Sequence, residues 1–80
     1  MSMYIGNLNY HVKEGDLKKL FANYGNISSI KIAKDYETGK SRGFGFIEME
    51  NPLNEHEAIK VMNGIELMGR QIIVREARMR

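Results

Sequence analysis

From Gly43 to Met49 the chain runs Gly-Phe-Gly-Phe-Ile-Glu-Met, with aromatic and β-branched residues that suit a strand. Successive side chains of a strand point to opposite faces. Ile47 and Met49 therefore share one face with Gly45, while Phe44 and Phe46 share the other with Glu48. If Ile47 and Met49 face a core, the two phenylalanines face away from it. Any fold containing this strand must then cover one side of its sheet and leave aromatic rings on the other.

The remaining segments supply the cover. Glycines at 25, 39, 64 and 69 punctuate the chain. A first strand spans about 2–7, with Tyr4 and Ile5 on opposite faces. Leu17, Leu20, Phe21 and Tyr24 recur at helical spacing, so a helix is predicted over about 13–23, with Gly25 as its stop and Asp16 placed to suit its dipole. Ile30 and Ile32 share a face of a second strand at about 28–34, and Asp35 to Lys40 has the composition of a hairpin loop before the third strand, 43–49. Pro52 suits a helix's opening turn. Ala58, Ile59 and Met62 give that helix, about 53–62, an apolar side, and Asn63-Gly64 ends it. Ile72, Ile73 and Val74 belong to a last strand at about 71–76. The order β-α-β-β-α-β predicts an α+β, ferredoxin-like fold: a four-stranded antiparallel sheet with two helices packed on one face.

Eighty residues, 42% of them hydrophobic, suffice for one compact domain, 1–80, and not for two. The absence of cysteine excludes disulfides and thiolate metal sites. Apolar runs such as Ile72 to Val74 fall far short of the roughly 18 residues a membrane span requires. The opening Met1-Ser2-Met3-Tyr4 has no charged and apolar leader pattern, so the expectation is a soluble, cytoplasmic protein. The net charge of +2 and isoelectric point near 9.0 lean only gently towards an anionic partner.

The side chains are more informative than the charge. With Met3 and Ile5 buried, Tyr4 joins Phe44 and Phe46 on the open face. Three exposed aromatics carry a desolvation cost that suggests a ligand with flat apolar surfaces and a polar rim, and nucleobases fit. Arg42 to Met49 resembles the eight-residue motif of the RNA-recognition motif (RRM) family: basic, Gly, aromatic, Gly or Ala, aromatic, aliphatic, any, aromatic. The departure is Met49, which stands where that motif has its last aromatic, on the inward face. Met3 to Leu8 resembles the companion hexamer on the first strand. Leu17 to Gly25, Glu37 to Arg42 and Gly69 to Ile72 extend the likeness over nearly the whole chain, which looks most like small single-RRM proteins of bacteria.

That resemblance implies single-stranded RNA binding, in post-transcriptional regulation or as an RNA chaperone. It implies that Tyr4 and Phe46 stack on successive bases, Phe44 packs against ribose and Arg42 meets phosphate. Arg75, Arg78 and Arg80 form a basic run that in the family can cross the sheet, or else a frayed end. Lys31 has a phosphate-binding or a merely solvated reading. Glu48 either accepts from a base amino group or repels phosphate, and Asn7 either reads a base edge or caps a loop. Single-stranded DNA is a secondary ligand, disfavoured by the loss of 2′-hydroxyl contacts. A protein-interaction module is the competing function, although the sheet aromatics argue against it.

No catalytic residues are expected. An acylphosphatase-like enzyme of this architecture needs an arginine in the loop after the first strand, and Asn7 to His11 has none. His11 and His56 lack ligand-spaced partners, so neither metal nor cofactor is expected, and the domain is expected to be monomeric.

Overall fold

The computed structural model describes residues 2–77. Its main sheet has four strands, β1 (Ser2–Gly6), β2 (Ile27–Lys34), β3 (Ser41–Met49) and β6 (Ile73–Ala77), in the order β2-β3-β1-β6 with every neighbour antiparallel. The first strand is thus central, flanked by β3 and by the last strand. Two helices, α1 (Glu14–Phe21) and α2 (Pro52–Met62), cover one face; α1 lies mainly against β2, and α2 against β1, β3 and β6. This is the ferredoxin-like α+β arrangement.

The core lies between these layers. Met3 and Ile5 of β1, Ile32 of β2, Ile47 and Met49 of β3 and Val74 of β6 are buried against Leu17 and Phe21 of α1 and Ala58 and Met62 of α2. Burying such a side chain is worth about 1.5–3 kcal/mol, so the inward face of each strand is strongly specified. Met49 is buried, which places the departure from the eight-residue motif in the core. Its amide donates to the buried carboxylate of Glu55 on α2 at 2.9 Å, tying β3 to that helix.

Local chemistry sets the helix ends. Asn51 caps α2 by accepting from the Leu53 amide at 2.9 Å, with Pro52 in the first turn. Asp16 accepts from the Lys13 amide at 2.9 Å at the start of α1, and Glu14 reaches across to accept from the Ile32 amide of β2 at 3.2 Å. After Phe21 the chain tightens into a 3-10 turn, Ala22–Tyr24, so α1 is shorter than its apolar spacing suggests; Leu20 and Tyr24 pack only partly against the core.

One element is absent from the sequence expectation. A two-residue hairpin, β4 (Glu66–Leu67) with β5 (Arg70–Gln71), turns at Met68 and Gly69, which both have positive φ. Ile72 follows as a buried link whose amide donates to the Ile65 carbonyl at 2.9 Å, and for that reason the last main strand begins at Ile73 instead of 71.

Candidate nucleic-acid interface

The open face is organised by strand register. Lys31 of β2 lies opposite Phe46 of β3, Phe46 opposite Tyr4 of β1, and Tyr4 opposite Arg75 of β6. A row of cation, aromatic, aromatic, cation thus crosses all four strands, about 14 Å from end to end at the usual strand spacing. Phe44 lies two residues before Phe46 on the same face and completes a triangle of rings. Centroids are 6.0 Å apart for Tyr4 and Phe44, 5.9 Å for Tyr4 and Phe46, and 6.1 Å for Phe44 and Phe46. The first pair is inclined by 29° and the other two by 65° and 88°. These are favourable aromatic separations, so each ring braces the others while remaining half-exposed.

Two arginines lean on the triangle. The Arg42 guanidinium carbon is 5.8 Å from the Phe44 centroid, and that of Arg75 is 5.3 Å from the Tyr4 centroid. Both distances fall within cation–π range. Lys31 and Glu48 are exposed; Glu48 sits two residues beyond Phe46, opposite Ser29 at the edge of the row.

Asn7 stands apart from these residues. Its backbone is left-handed (φ 56°), its side-chain amide donates to the Gln71 carbonyl at 2.8 Å, and its side-chain oxygen accepts from Arg70 at 2.7 Å. The side chain is therefore occupied in fastening the end of β1 to β5. Arg78 and Arg80 lie outside the described residues.

The structure adds two glycines that sequence alternation leaves unremarked. A Cβ on Gly6 would come within 2.7 Å of Tyr4 Cε2 and hydroxyl, so the Tyr4 ring lies across the space that Gly6 leaves empty. The i, i+2 spacing on one strand face was the available signal. Gly43 has φ 85°, and its carbonyl accepts from the Leu8 amide at 2.8 Å, so it joins the loop after β1 to the start of β3 in a backbone conformation that L side chains rarely adopt.

Asp35, in the β2–β3 turn, accepts from the amides of Glu37 at 2.8 Å and Thr38 at 3.1 Å. These bonds, Thr38's first, hold its carboxyl below the ordinary aspartate value of 3.8. Among the described residues no three His, Cys, Asp or Glu side chains gather as metal ligands, and no helix is long and apolar enough to cross a membrane.

Comparison with known proteins agrees with this geometry. The family model described as RNA recognition motif matches residues 3–73. A Nostoc sp. protein named "Putative RNA-binding protein RbpE" is 48% identical over all 80 residues, which correspond to 81% of that relative. A Synechocystis sp. protein named "Putative RNA-binding protein RbpA" is 46% identical over the same span, 79% of its own length. Among solved structures, the crystal structure of RNA Binding Protein PG1 superposes with a TM-score of 0.96 at 48% identity, covering 100% of this chain and 96% of that one. The structure of the Rna15 RRM with bound RNA (GU) superposes at 0.85 with 28% identity, covering 95% and 81%. A motif pair on adjacent central strands, a triangle of open-face rings and a family match spanning most of the chain converge: this chain belongs to the RNA recognition motif family.

Proposed function

We propose that this protein binds single-stranded RNA across the open face of its sheet, with bases stacked on Tyr4 and Phe46, Phe44 against ribose and Arg42 against phosphate. The observation that carries this reading is the cross-strand row Lys31, Phe46, Tyr4, Arg75, which offers stacking surfaces between two cations. Family membership and a structural neighbour with bound RNA support it. Stacking contributes about 1–3 kcal/mol per base with little preference among bases, and the cations add salt-sensitive phosphate contacts. In the sequence Arg78 adds a further positive charge after Arg75, and Glu48 borders the outer stacking position. Asn7 positions the loop after β1 and does not read a base. We assign the domain a non-enzymatic role in the cytoplasm, as a monomer acting in post-transcriptional regulation or as an RNA chaperone, with single-stranded DNA a weaker ligand.

Competition titration provides the test. Unpaired RNA should outcompete a duplex of the same sequence, because a sheet face needs splayed bases and the A-form major groove is too narrow to admit it. The matching DNA strand should bind more weakly than RNA. Equal or tighter duplex binding would refute stacking, and no binding to any strand would leave the open face to a protein partner.

A further inference from the structure

Beside the aromatic triangle, an open cleft of about 990 Å³ lies between the loop after β1 and the β2–β3 turn. Its size falls at the upper end of the roughly 300–1,000 Å³ typical of small-ligand sites. Four cations line it, Lys13, Lys34, Lys40 and Arg42, against two carboxylates, Glu14 and Asp35. Both carboxylates are turned to the backbone: Glu14 accepts from the Ile32 amide, and Asp35 from the Glu37 and Thr38 amides. The four cationic side chains are all exposed. The cleft therefore presents a surplus of positive charge to an anion.

Its wall also carries an aromatic that the sheet does not use. Tyr10 is 67% exposed, so its ring is open to contact from outside the fold. The turn that bears it is firmly held. The Leu8 amide donates to the Gly43 carbonyl at 2.8 Å, the Asn9 side chain to the Met68 carbonyl at 3.1 Å, the His11 amide to the Asn9 side-chain oxygen at 2.9 Å, and the Val12 amide to the Asn9 carbonyl at 3.0 Å. Val12 is buried in the core. Tyr10 is thus an exposed ring on a preorganised support, which lowers the ordering cost of stacking on it. A Cβ on Gly43 would lie 3.9 Å from Tyr10 Cε1, so the turn bearing Tyr10 packs beside the start of β3.

We infer that this cleft takes one further nucleotide of the RNA strand held on the sheet, its base stacked on Tyr10 and its phosphate facing Lys34 and Lys40. The inference rests on the sheet-face reading. Arg42, which leans over Phe44 and also lines the cleft, lies at the junction of the two sites.

The test is a length series of single-stranded RNA, roughly two to six nucleotides extended at either end, titrated against the parent, Tyr10→Ala, Phe46→Ala and the Lys34→Ala/Lys40→Ala pair. One extension should raise the parent's affinity by about 5- to 100-fold, the range expected for a single stack. Tyr10→Ala should bind the shorter strands like the parent but lose that step, as should the parent given an abasic residue at the added position. The lysine pair should flatten the salt dependence of the longer strand alone. Melting curves establish that each variant is folded. A full step retained by Tyr10→Ala, or no step in the parent, overturns the cleft site while sheet binding stands. Phe46→Ala should weaken every length; if it changes none, the sheet reading fails, whatever Tyr10 does.

Discussion

The guanidinium of Arg75 lies 5.3 Å from the centre of the Tyr4 ring, directly across the β1–β6 ladder. An aromatic face and a positive charge are thereby paired on the open side of the sheet before any ligand arrives. Arg75→Ala should weaken RNA binding and make the logarithmic salt dependence shallower by about one unit, the signature of one lost phosphate contact. Arg75→Lys should keep the slope while losing part of the affinity, because an ammonium is a poorer planar partner for the ring. Titrations at several salt concentrations measure both quantities. A slope unchanged in Arg75→Ala would reduce the arginine to a support for Tyr4.

Phe46 and Ile47 are neighbours in sequence on opposite faces of β3, the first half-exposed and the second fully buried. Phe46→Ala should cost about 1–3 kcal/mol of RNA binding with little loss of stability. Ile47→Ala should cost about 2–5 kcal/mol of folding stability while the fraction that folds still binds. Denaturant melts run beside RNA titrations separate the two effects, and the opposite pattern would mean that the strand faces had been assigned the wrong way round.

Gly6 provides a subtler test, since the three atoms nearest an added methyl, leaving aside its chain neighbours, all belong to the Tyr4 side chain. Gly6→Ala should displace that ring and reduce affinity about as much as Tyr4→Ala does. The double variant should be little worse than either single one, because both remove the same surface. Additive losses would show that Gly6 acts through something other than Tyr4.

The turn at Asp35 should respond to acid. With the folded pKa held below 3.8, the carboxylate's contribution to turn order is complete above that ordinary value and is lost as pH falls through the lower folded one. The Glu37 and Thr38 amide resonances should therefore shift together with a midpoint below 3.8, and Asp35→Asn should abolish the transition. A midpoint at or above 3.8 would contradict the hydrogen-bonded turn.

Much of the candidate surface was legible because alternation along one strand is a rigid rule: once Ile47 is buried, Phe46 has nowhere to go but outward. The same rule placed Tyr4 and Glu48. It was silent where position depends on segments far apart in the chain. Nothing in the local sequence of Asn7 pointed to its bonds with Arg70 and Gln71, more than sixty residues away. The β4–β5 hairpin was missed because its strands are two residues each, too short for periodicity, and its turn is Met68-Gly69 instead of the usual Asn-Gly. Alternation gave Tyr10 no role, because the bonds that hold its turn join segments far apart in the chain.

The central position of β1 has a consequence for how the protein is made. This strand is synthesised first among those described, yet both of its partners, β3 and β6, come later, the second of them last. Growth at about 5–20 residues per second leaves Met3 and Ile5 without strand neighbours for seconds after they emerge. A nascent chain that has reached only Met62 holds Tyr4, Phe44 and Phe46 but has neither the second neighbour of β1 nor the arginine that faces Tyr4. The finished row therefore forms only once translation has passed Arg75, and a shorter nascent chain carries the three rings without the cation that faces Tyr4.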